Sequence, residues 1–418
     1  MRRFAPGWQS RWQGVLAFLT VLGPGIITAT VDNDAGGITT YSLAGAQFGN
    51  KFLWTLIPTA VALIVAQEMC SRMGAVTRKG LADLIRENFG VRCTFLLMIG
   101  LLVANLGTTC AEFSGVAASC ELFGISKYLS VPLAALAVWW LVLKGTYRSV
   151  EKVFLIACVF YASYIISGLM AHLPWGSLLV DTVKPSFSFE APYLAMLVGV
   201  VGTTIAPWMQ FYLQSAVVDK GITARDYKYS RLDVFVGYAV TITVAFFIIA
   251  TCSKALHDHG IQIQTAKEAA LALKPVAGAY CSYLFAFGLF VSSIFAASVL
   301  PLSTAFYICE GMGWERGIDR TFREAPEFYS LYTAIIVIGA AVILWPRAPL
   351  IPIMFWSQVV NGAMLPPILI LMLLLINRRD LMGEWVNSRG FNAIAWATTL
   401  ILGALSLLLL FRMLFGGR

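Results

Sequence analysis

Apolar stretches of about twenty residues, the length that crosses a bilayer, recur along the whole chain. In lipid no water satisfies the backbone, so each spanning segment must bond its own N–H and C=O groups, as a helix does. Composition points the same way. Of 418 residues, 59% are hydrophobic and 12% charged, with mean hydropathy +0.77. A soluble domain carries about a quarter charged residues, and so little polar surface could not cover a core of this size. Lipid serves as the solvent instead. Arg2, Arg3 and Arg11 precede a long apolar run containing Gly and Pro, which reads as a first span and not as a cleavable signal.

The pattern predicts an all-α polytopic membrane protein with about eleven transmembrane helices, at 14–47, 52–71, 93–120, 131–146, 153–172, 191–218, 233–254, 277–309, 328–345, 350–376 and 392–414. The connections are short, so residues 1–418 read as a single transmembrane domain. With the N-terminus inside, the inner segments hold 21 of the 30 Lys and Arg residues. The positive-inside bias therefore places the N-terminus in the cytoplasm and the C-terminus outside, in a cell membrane of the prokaryotic inner-membrane kind. The net charge of +8 follows from this bias and from anionic lipid headgroups. The lipid bilayer is the expected partner; nothing calls for nucleic acid or an obligatory protein partner.

Two spans break the rules of a lipid-spanning helix. Span 1 carries Asp32, Asn33 and Asp34, followed by Gly36 and Gly37, near its midpoint. A charge at the bilayer centre costs roughly 2.5–3.5 kcal/mol on insertion scales. An unwound segment facing a protein-lined cavity, where carboxylates and backbone carbonyls meet a cation, resolves that cost. Span 6 places Gly202, Thr203, Thr204 and Pro207 mid-span, and Pro207 lacks an N–H. The two breaks lie five spans apart. Five is odd, so a five-helix unit repeated once would reappear inverted, with its interrupted helix first: repeat one over 14–172, repeat two over 191–376, and an extra helix over 392–414. Paired interruptions of this kind point to a binding site at the membrane midplane.

Other polar residues lie inside spans. Glu112 in span 3 needs a partner or water. Glu68 stands one turn before Arg72, the spacing of a helical ion pair. Gln358 and Asn361 in span 10 are three apart and share a face; their amide oxygens suit hard cations, and interhelical hydrogen bonding would explain them equally. The eight cysteines form no C-x-x-C pair and read as small buried hydrophobes. His172, His257 and His259 fall in connections, so neither a zinc site nor a Ser-His-Asp triad can be assembled within the membrane.

These residues resemble the Nramp divalent-metal transporters. That family carries D-P-G-N followed closely by A-G-A-Q in its first helix; "DAGGITTYSLAGAQFG" keeps the register, with Asp34, Ala35, Gly36 and Gly37 at the four positions. The M-P-H of span 6 is matched by Ala206, Pro207 and Trp208. The D-L-A-E-x-x-G of span 3 is matched by Thr109, Cys110, Ala111, Glu112 and Gly115, and a span 10 glutamine by Gln358. The resemblance covers essentially the whole chain. It implies the inverted 5+5 repeat of the amino-acid/polyamine/organocation superfamily, LeuT-like, with spans 1 and 6 unwound. The departures are informative: Ala206 replaces the thioether, Gly37 the asparagine ligand, Gln214 a second histidine and Thr109 an acid. Losing the thioether and the amide removes ligands and enlarges the cavity. The pattern is most similar to the Nramp-related magnesium transporter branch.

The reading is a secondary transporter for divalent cations, Mg²⁺ and also Mn²⁺ as transported substrate, with no cofactor. The expected metal site is Asp34, the carbonyls of Val31 and Ala206, Gln358, the opened position at Gly37, Asn361 and Asp32. Glu112, Asn33 and Thr204 stand behind it, as a second layer or a vestigial proton path. Thioether and imidazole suit transition metals, whereas carboxylate, carbonyl and water suit Mg²⁺. With the proton-relay positions replaced, uniport by alternating access is expected. Three alternatives remain: a proton-coupled Mn²⁺/Fe²⁺ symporter; an amino-acid transporter of the same fold, disfavoured because two acids would repel a substrate carboxylate; and an intramembrane metalloenzyme, for which no H-E-x-x-H motif exists.

Overall fold

The computed structural model describes residues 23–144, 152–153, 155–156, 158, 160–261, 279–318 and 320–415. The N-terminal tail and residues 14–22 of the first expected span lie outside the described residues, as does part of the fifth. All regular structure in the described residues is helical. The first expected span is two helices, α1 (Pro24–Val31) and α2 (Ala35–Phe48). There follow a 3-10 turn (Gly49–Thr55), α3 (Leu56–Thr77), α4 (Leu81–Leu122), α5 (Lys127–Lys144), α6 (Ala162–Met170) and α7 (Trp175–Val183). The sixth expected span is again two helices, α8 (Ala191–Thr204) and α9 (Pro207–Asp219). The chain continues with α10 (Tyr227–Ala255), α11 (Ala279–Met312), α12 (Pro326–Leu344), α13 (Leu350–Ile376) and α14 (Arg389–Phe415).

Nine runs in the described residues are long and apolar enough to cross a membrane. The difference from eleven has two causes. Ala35–Thr77 continues through the 3-10 turn as one run, and the fifth expected span is described as an unbroken helix only over Ala162–Met170. Two helical pieces lie where connections were expected. Leu81, Leu84 and Ile85 recur at helical spacing and are buried, so the chain is already helical before Gly90, whose φ of 82° interrupts α4. Charge in this segment disguised an amphipathic helix as a loop. The second piece, α7, is tied to the 3-10 turn by Asn50 Nδ2 donating to Asp181 Oδ2 at 3.1 Å.

The broken helices occupy the middle. The α1 and α2 pieces pack on α10, α8 packs on α13, and α4 lies against both α11 and α13. Small residues bring α8 and α13 together: a Cβ on Gly202 would come within 2.1 Å of the Gln358 carbonyl, and one on Gly362 within 2.4 Å of the Val198 carbonyl. That backbone contact seats Gln358 and Asn361 beside the span 6 break. The outer helix α14 packs on α13 and α8 and presents Leu400, Leu407 and Leu414 outward, as lipid contact requires. Glu68 and Arg72 form the expected i, i+4 ion pair at 3.1 Å.

The first turn of α1 is held by a buried acid on another helix. Asp233 of α10 accepts from Gly23 N at 3.2 Å, Gly25 N at 2.6 Å and Ile26 N at 3.3 Å. These are amides that a helix N-terminus leaves without internal partners. Asp233→Ala strands them in a dry interior, at a cost of about 1–3 kcal/mol, whereas Asp233→Asn keeps one acceptor. The expected order of thermal unfolding midpoints in detergent is wild type, then Asn, then Ala. An Ala variant that melts with the wild type removes this anchor from the account.

Candidate functional site

The two helix breaks have local causes. Asp34 is the N-cap of α2, with extended backbone (φ −71°, ψ −177°) and its Oδ1 accepting from Gly37 N at 2.6 Å. Aspartate is a preferred cap because its short side chain reaches back to a free amide. At the second break Ala206 is extended (φ −62°, ψ 140°) and Pro207 opens α9, where a missing N–H costs nothing. The carboxyl ends of α1 and α8 and the amino ends of α2 and α9 therefore meet mid-chain. Thr203 Oγ1 faces the Asp32 carbonyl at 3.5 Å, and the Tyr41 hydroxyl bonds Thr204 Oγ1 at 2.7 Å across the two breaks.

Side chains from α4 and α13 close on Asp34. Glu112 Oε2 accepts from Ala35 N at 3.1 Å, so this carboxylate caps the same helix end as Asp34. Gln358 Nε2 lies 3.5 Å from Asp34 Oδ1, and Asn361 Nδ2 donates to Gln358 Oε1 at 3.1 Å and to Thr108 Oγ1 at 3.0 Å. Asn33 Nδ2 turns away, toward the Thr241 carbonyl at 3.4 Å. Asp32, Asn33, Asp34, Glu112, Thr203, Thr204, Gln358 and Asn361 are each at most 3% exposed. The centre is thus sealed from both faces.

The charges there are unmatched. Within the described residues none of Asp32, Asp34 and Glu112 forms an ion pair with Lys or Arg. Both carboxylate oxygens of Asp32, Oε1 of Glu112 and Oδ1 of Asn33 and of Asn361 are buried with no hydrogen-bond partner. A buried carboxylate is neutralised by a proton or matched by a cation. Here the protein supplies oxygen and no positive side chain. Among the described residues no three His, Cys, Asp or Glu side chains are placed so that they could together hold a metal ion, so a metal held here would rely on carbonyl and amide oxygens beside Asp34.

The expected site residues can now be placed. Asp34, Gln358, Asn361 and Glu112 converge. Val31 ends α1, where terminal carbonyls lack helical donors. The Ala206 carbonyl already accepts from Met209 N at 3.1 Å and Gln210 Nε2 at 3.4 Å, which leaves it only part of its accepting capacity. Gly37 departs from expectation. The missing side chain there does not enlarge a cavity: a Cβ would lie 2.5 Å from the Asp32 carbonyl oxygen and 2.8 Å from Thr203 Oγ1. The space is filled by the returning backbone of the break. Sequence reasoning placed Gly36 in the break but missed its contact with Gln358, whose amide packs so closely that a Cβ would meet Nε2 at 1.9 Å. It also missed Thr108, although Thr108 stands one turn before Glu112 on the same helix face.

The sequence model of the Nramp family, natural resistance-associated macrophage protein-like, matches residues 25–412. A divalent metal cation transporter MntH of Burkholderia ambifaria is 27% identical over 413 residues, covering 95% of this chain and 90% of the relative. The divalent metal cation transporter MntH 1 of Pseudomonas aeruginosa is 28% identical over 420 residues, covering 93% and 91%. In fold, a crystal structure of the Eremococcus coleocola manganese transporter superposes with a TM-score of 0.76 at 20% identity, covering 100% of this chain and 91% of that one. Mhp1, a nucleobase-cation-symport-1 family transporter in a closed conformation, superposes with a TM-score of 0.59 at 14% identity, covering 93% and 90%.

Because the backbone returns against Gly37, adding even one methyl there overpacks the break. Gly37→Ala is expected to lower stability by about 1–3 kcal/mol and to displace Asp34 from its capping position. Thermal unfolding in detergent measures the first effect. A wild-type midpoint would mean that the break is looser than this contact implies.

Proposed function

The chain belongs to the Nramp family, and on that premise we propose that it is a secondary transporter of divalent metal cations, Mg²⁺ and also Mn²⁺, working by alternating access. One observation carries the reading: a cluster of buried carboxylates without a protein cation, at the junction of two broken helices. Asp34 supplies the direct carboxylate. Gln358 adds its amide oxygen and is held by Asn361, Val31 and Ala206 add carbonyls, and Asp32 with Asn33 shapes the hydration shell that Mg²⁺ gives up reluctantly. Ala206 caps α9 and Trp208 follows Pro207, so the two positions where the family pattern has a thioether and an imidazole carry neither. This donor set favours hard cations. The names of the relatives, divalent metal cation and manganese transporters, support a divalent cargo.

Opening the sealed site requires the halves carrying the two breaks to rock against α4, α11 and α13, exposing Asp34 to one face at a time. Uniport is the favoured mode. Thr109 donates its hydroxyl to the Asn105 carbonyl of its own helix at 2.8 Å, and Gln214 donates to the Lys79 carbonyl at 2.9 Å. Neither titrates. The membrane potential then suffices as a bias, roughly 4–5 kcal/mol per 100 mV on a divalent ion. A second reading, proton-coupled symport, draws on one observation: Glu112 sits beside the Asp34 cap with Oε1 unpartnered, where a proton carrier would stand.

Two outcomes are expected in proteoliposomes. Asp34→Ala abolishes Mg²⁺ and Mn²⁺ uptake; a variant that takes up metal at the wild-type rate removes Asp34 from the site. Wild-type uptake leaves the lumenal pH unchanged. Acidification at a rate comparable to the metal flux would establish proton coupling instead and make Glu112→Gln the next variant to measure.

A further inference from the structure

A string of side-chain hydrogen bonds runs from α4 to the central acid. Thr108 Oγ1 accepts from Asn361 Nδ2 at 3.0 Å, the same nitrogen donates to Gln358 Oε1 at 3.1 Å, and Gln358 Nε2 faces Asp34 Oδ1 at 3.5 Å. Thr108 and Asn361 are fully buried, Gln358 is 1% exposed and Asp34 3%. In this arrangement Gln358 presents its N–H edge to the carboxylate. That is the wrong end for a cation, because the amide nitrogen has no lone pair to give and only Oε1 can ligate.

A half-turn of the amide exchanges its two ends at almost no steric cost. Gln358 cannot make that turn alone. Its Nε2 would then face Asn361 Nδ2, donor against donor. If Asn361 turns with it, Asn361 Oδ1 accepts from Gln358 Nε2 on one side and from the Thr108 hydroxyl on the other. The Thr108 hydroxyl now donates to the Ala104 carbonyl at 3.1 Å and can redirect, since a hydroxyl both donates and accepts. Asn361 Oδ1 is buried without a partner in the present setting; after the exchange Nδ2 takes that place. The exchange keeps two bonds at Asn361 but gives up the Thr108 bond to Ala104 and the Gln358 contact with Asp34, so it is favoured only when a cation between Asp34 and Gln358 Oε1 replaces what is lost. Gly36 offers no side chain against the turning amide, which lies directly on it.

We propose that Asn361 and Thr108 are positioning residues that let the Gln358 amide turn over as a divalent cation arrives: N–H toward Asp34 without cargo, carbonyl toward the cation with it. The inference rests on the reading of Asp34 and Gln358 as cation ligands. It gives α4 and α13 a way to sense occupancy, because the hydroxyl on α4 changes from acceptor to donor with the exchange.

The test is calorimetric titration of Mn²⁺, and separately Mg²⁺, into the purified full-length protein in detergent. Thr108→Val keeps shape and removes the hydroxyl; it and Asn361→Leu are each expected to weaken binding about tenfold, the lower end of what outer partners of metal ligands contribute. Thr108→Ser, which restores the hydroxyl, is expected to bind as the wild type. In a Gln358→Ala background neither Thr108→Val nor Asn361→Leu should weaken binding further, because both act through that amide. Wild-type affinity in Thr108→Val overturns the relay, as does an undiminished loss from Asn361→Leu on top of Gln358→Ala. If Asp34→Ala abolishes binding while Gln358→Ala leaves it intact, the relay falls and the transport reading stands. If the wild type binds neither metal, the transport reading itself falls.

Discussion

A carboxylate at the centre of a bilayer is the constraint on which the rest of the structure depends. Each costs roughly 2.5–3.5 kcal/mol to insert, so Asp32, Asp34 and Glu112 together cost roughly 8–10 kcal/mol. A helix N-terminus returns at most about 2 kcal/mol to an acid placed on it. Capping of α2 by Asp34 and Glu112 therefore explains where these acids sit but not why the fold tolerates all three. The remainder must be met by a proton or by a cation. The broken helices follow from the same requirement, because only an interrupted span brings carbonyl ends and acid side chains to one level of the membrane.

The breaks were legible because their signals are local. Asp-Asn-Asp before Gly-Gly, and Thr-Thr-Ile-Ala before Pro207, violate the rules of a spanning helix within a few residues. The shared face of Gln358 and Asn361 followed from helical spacing, and the structure joins them at 3.1 Å. What sequence could not supply was the partner of each polar group across helices. Glu112 Oε2 meets Ala35 N, 77 residues away, and Asp233 meets Gly25 N, 208 residues away. Asp233 opens the seventh expected span, beside a stretch dense with Lys, Arg and Asp, and nothing in that position names its partner. The helix beginning at Leu81 was hidden by the same kind of charge.

Gly37 shows a different limit. A glycine in place of a larger residue reads as room for a hydrated ion. The structure uses the missing side chain to bring the Asp32 carbonyl and Thr203 Oγ1 against the α2 backbone. Whether a deleted side chain becomes cavity or contact depends on how far the neighbouring backbone can close in, and a broken helix closes in further than a rigid one. On the proposed transport reading, room for a hydrated cation comes from the rocking of the two halves and not from the glycine.

The buried acids also separate by how they are satisfied. Glu310 of α11 meets Arg316 at 3.0 Å and accepts from Ser215 Oγ of α9 at 2.5 Å, and Arg316 continues to Asp83 of α4 at 3.2 Å. Glu68 has Arg72, and Asp233 has three backbone amides. Each of these joins elements of the chain and is matched by a group on the chain itself, so its charge is spent in holding the fold together. Asp32, Asp34 and Glu112 lack a Lys or Arg within the described residues, and that is what sets them apart from Glu310, whose Oε2 is unpartnered just as Glu112 Oε1 is; Asp32 goes further, with neither carboxylate oxygen bonded. Breaking a matched pair leaves a stranded charge and costs stability. Replacing one of the three central acids by a neutral side chain strands no Lys or Arg; at Asp34 and Glu112 it gives up a helix cap, and at Asp32 it gives up no hydrogen bond of the carboxylate. Asp34 and Glu112 thus also cap α2; Asp32, with neither carboxylate oxygen bonded, has no such role in the chain, and it is the acid whose retention the proposed cation explains best.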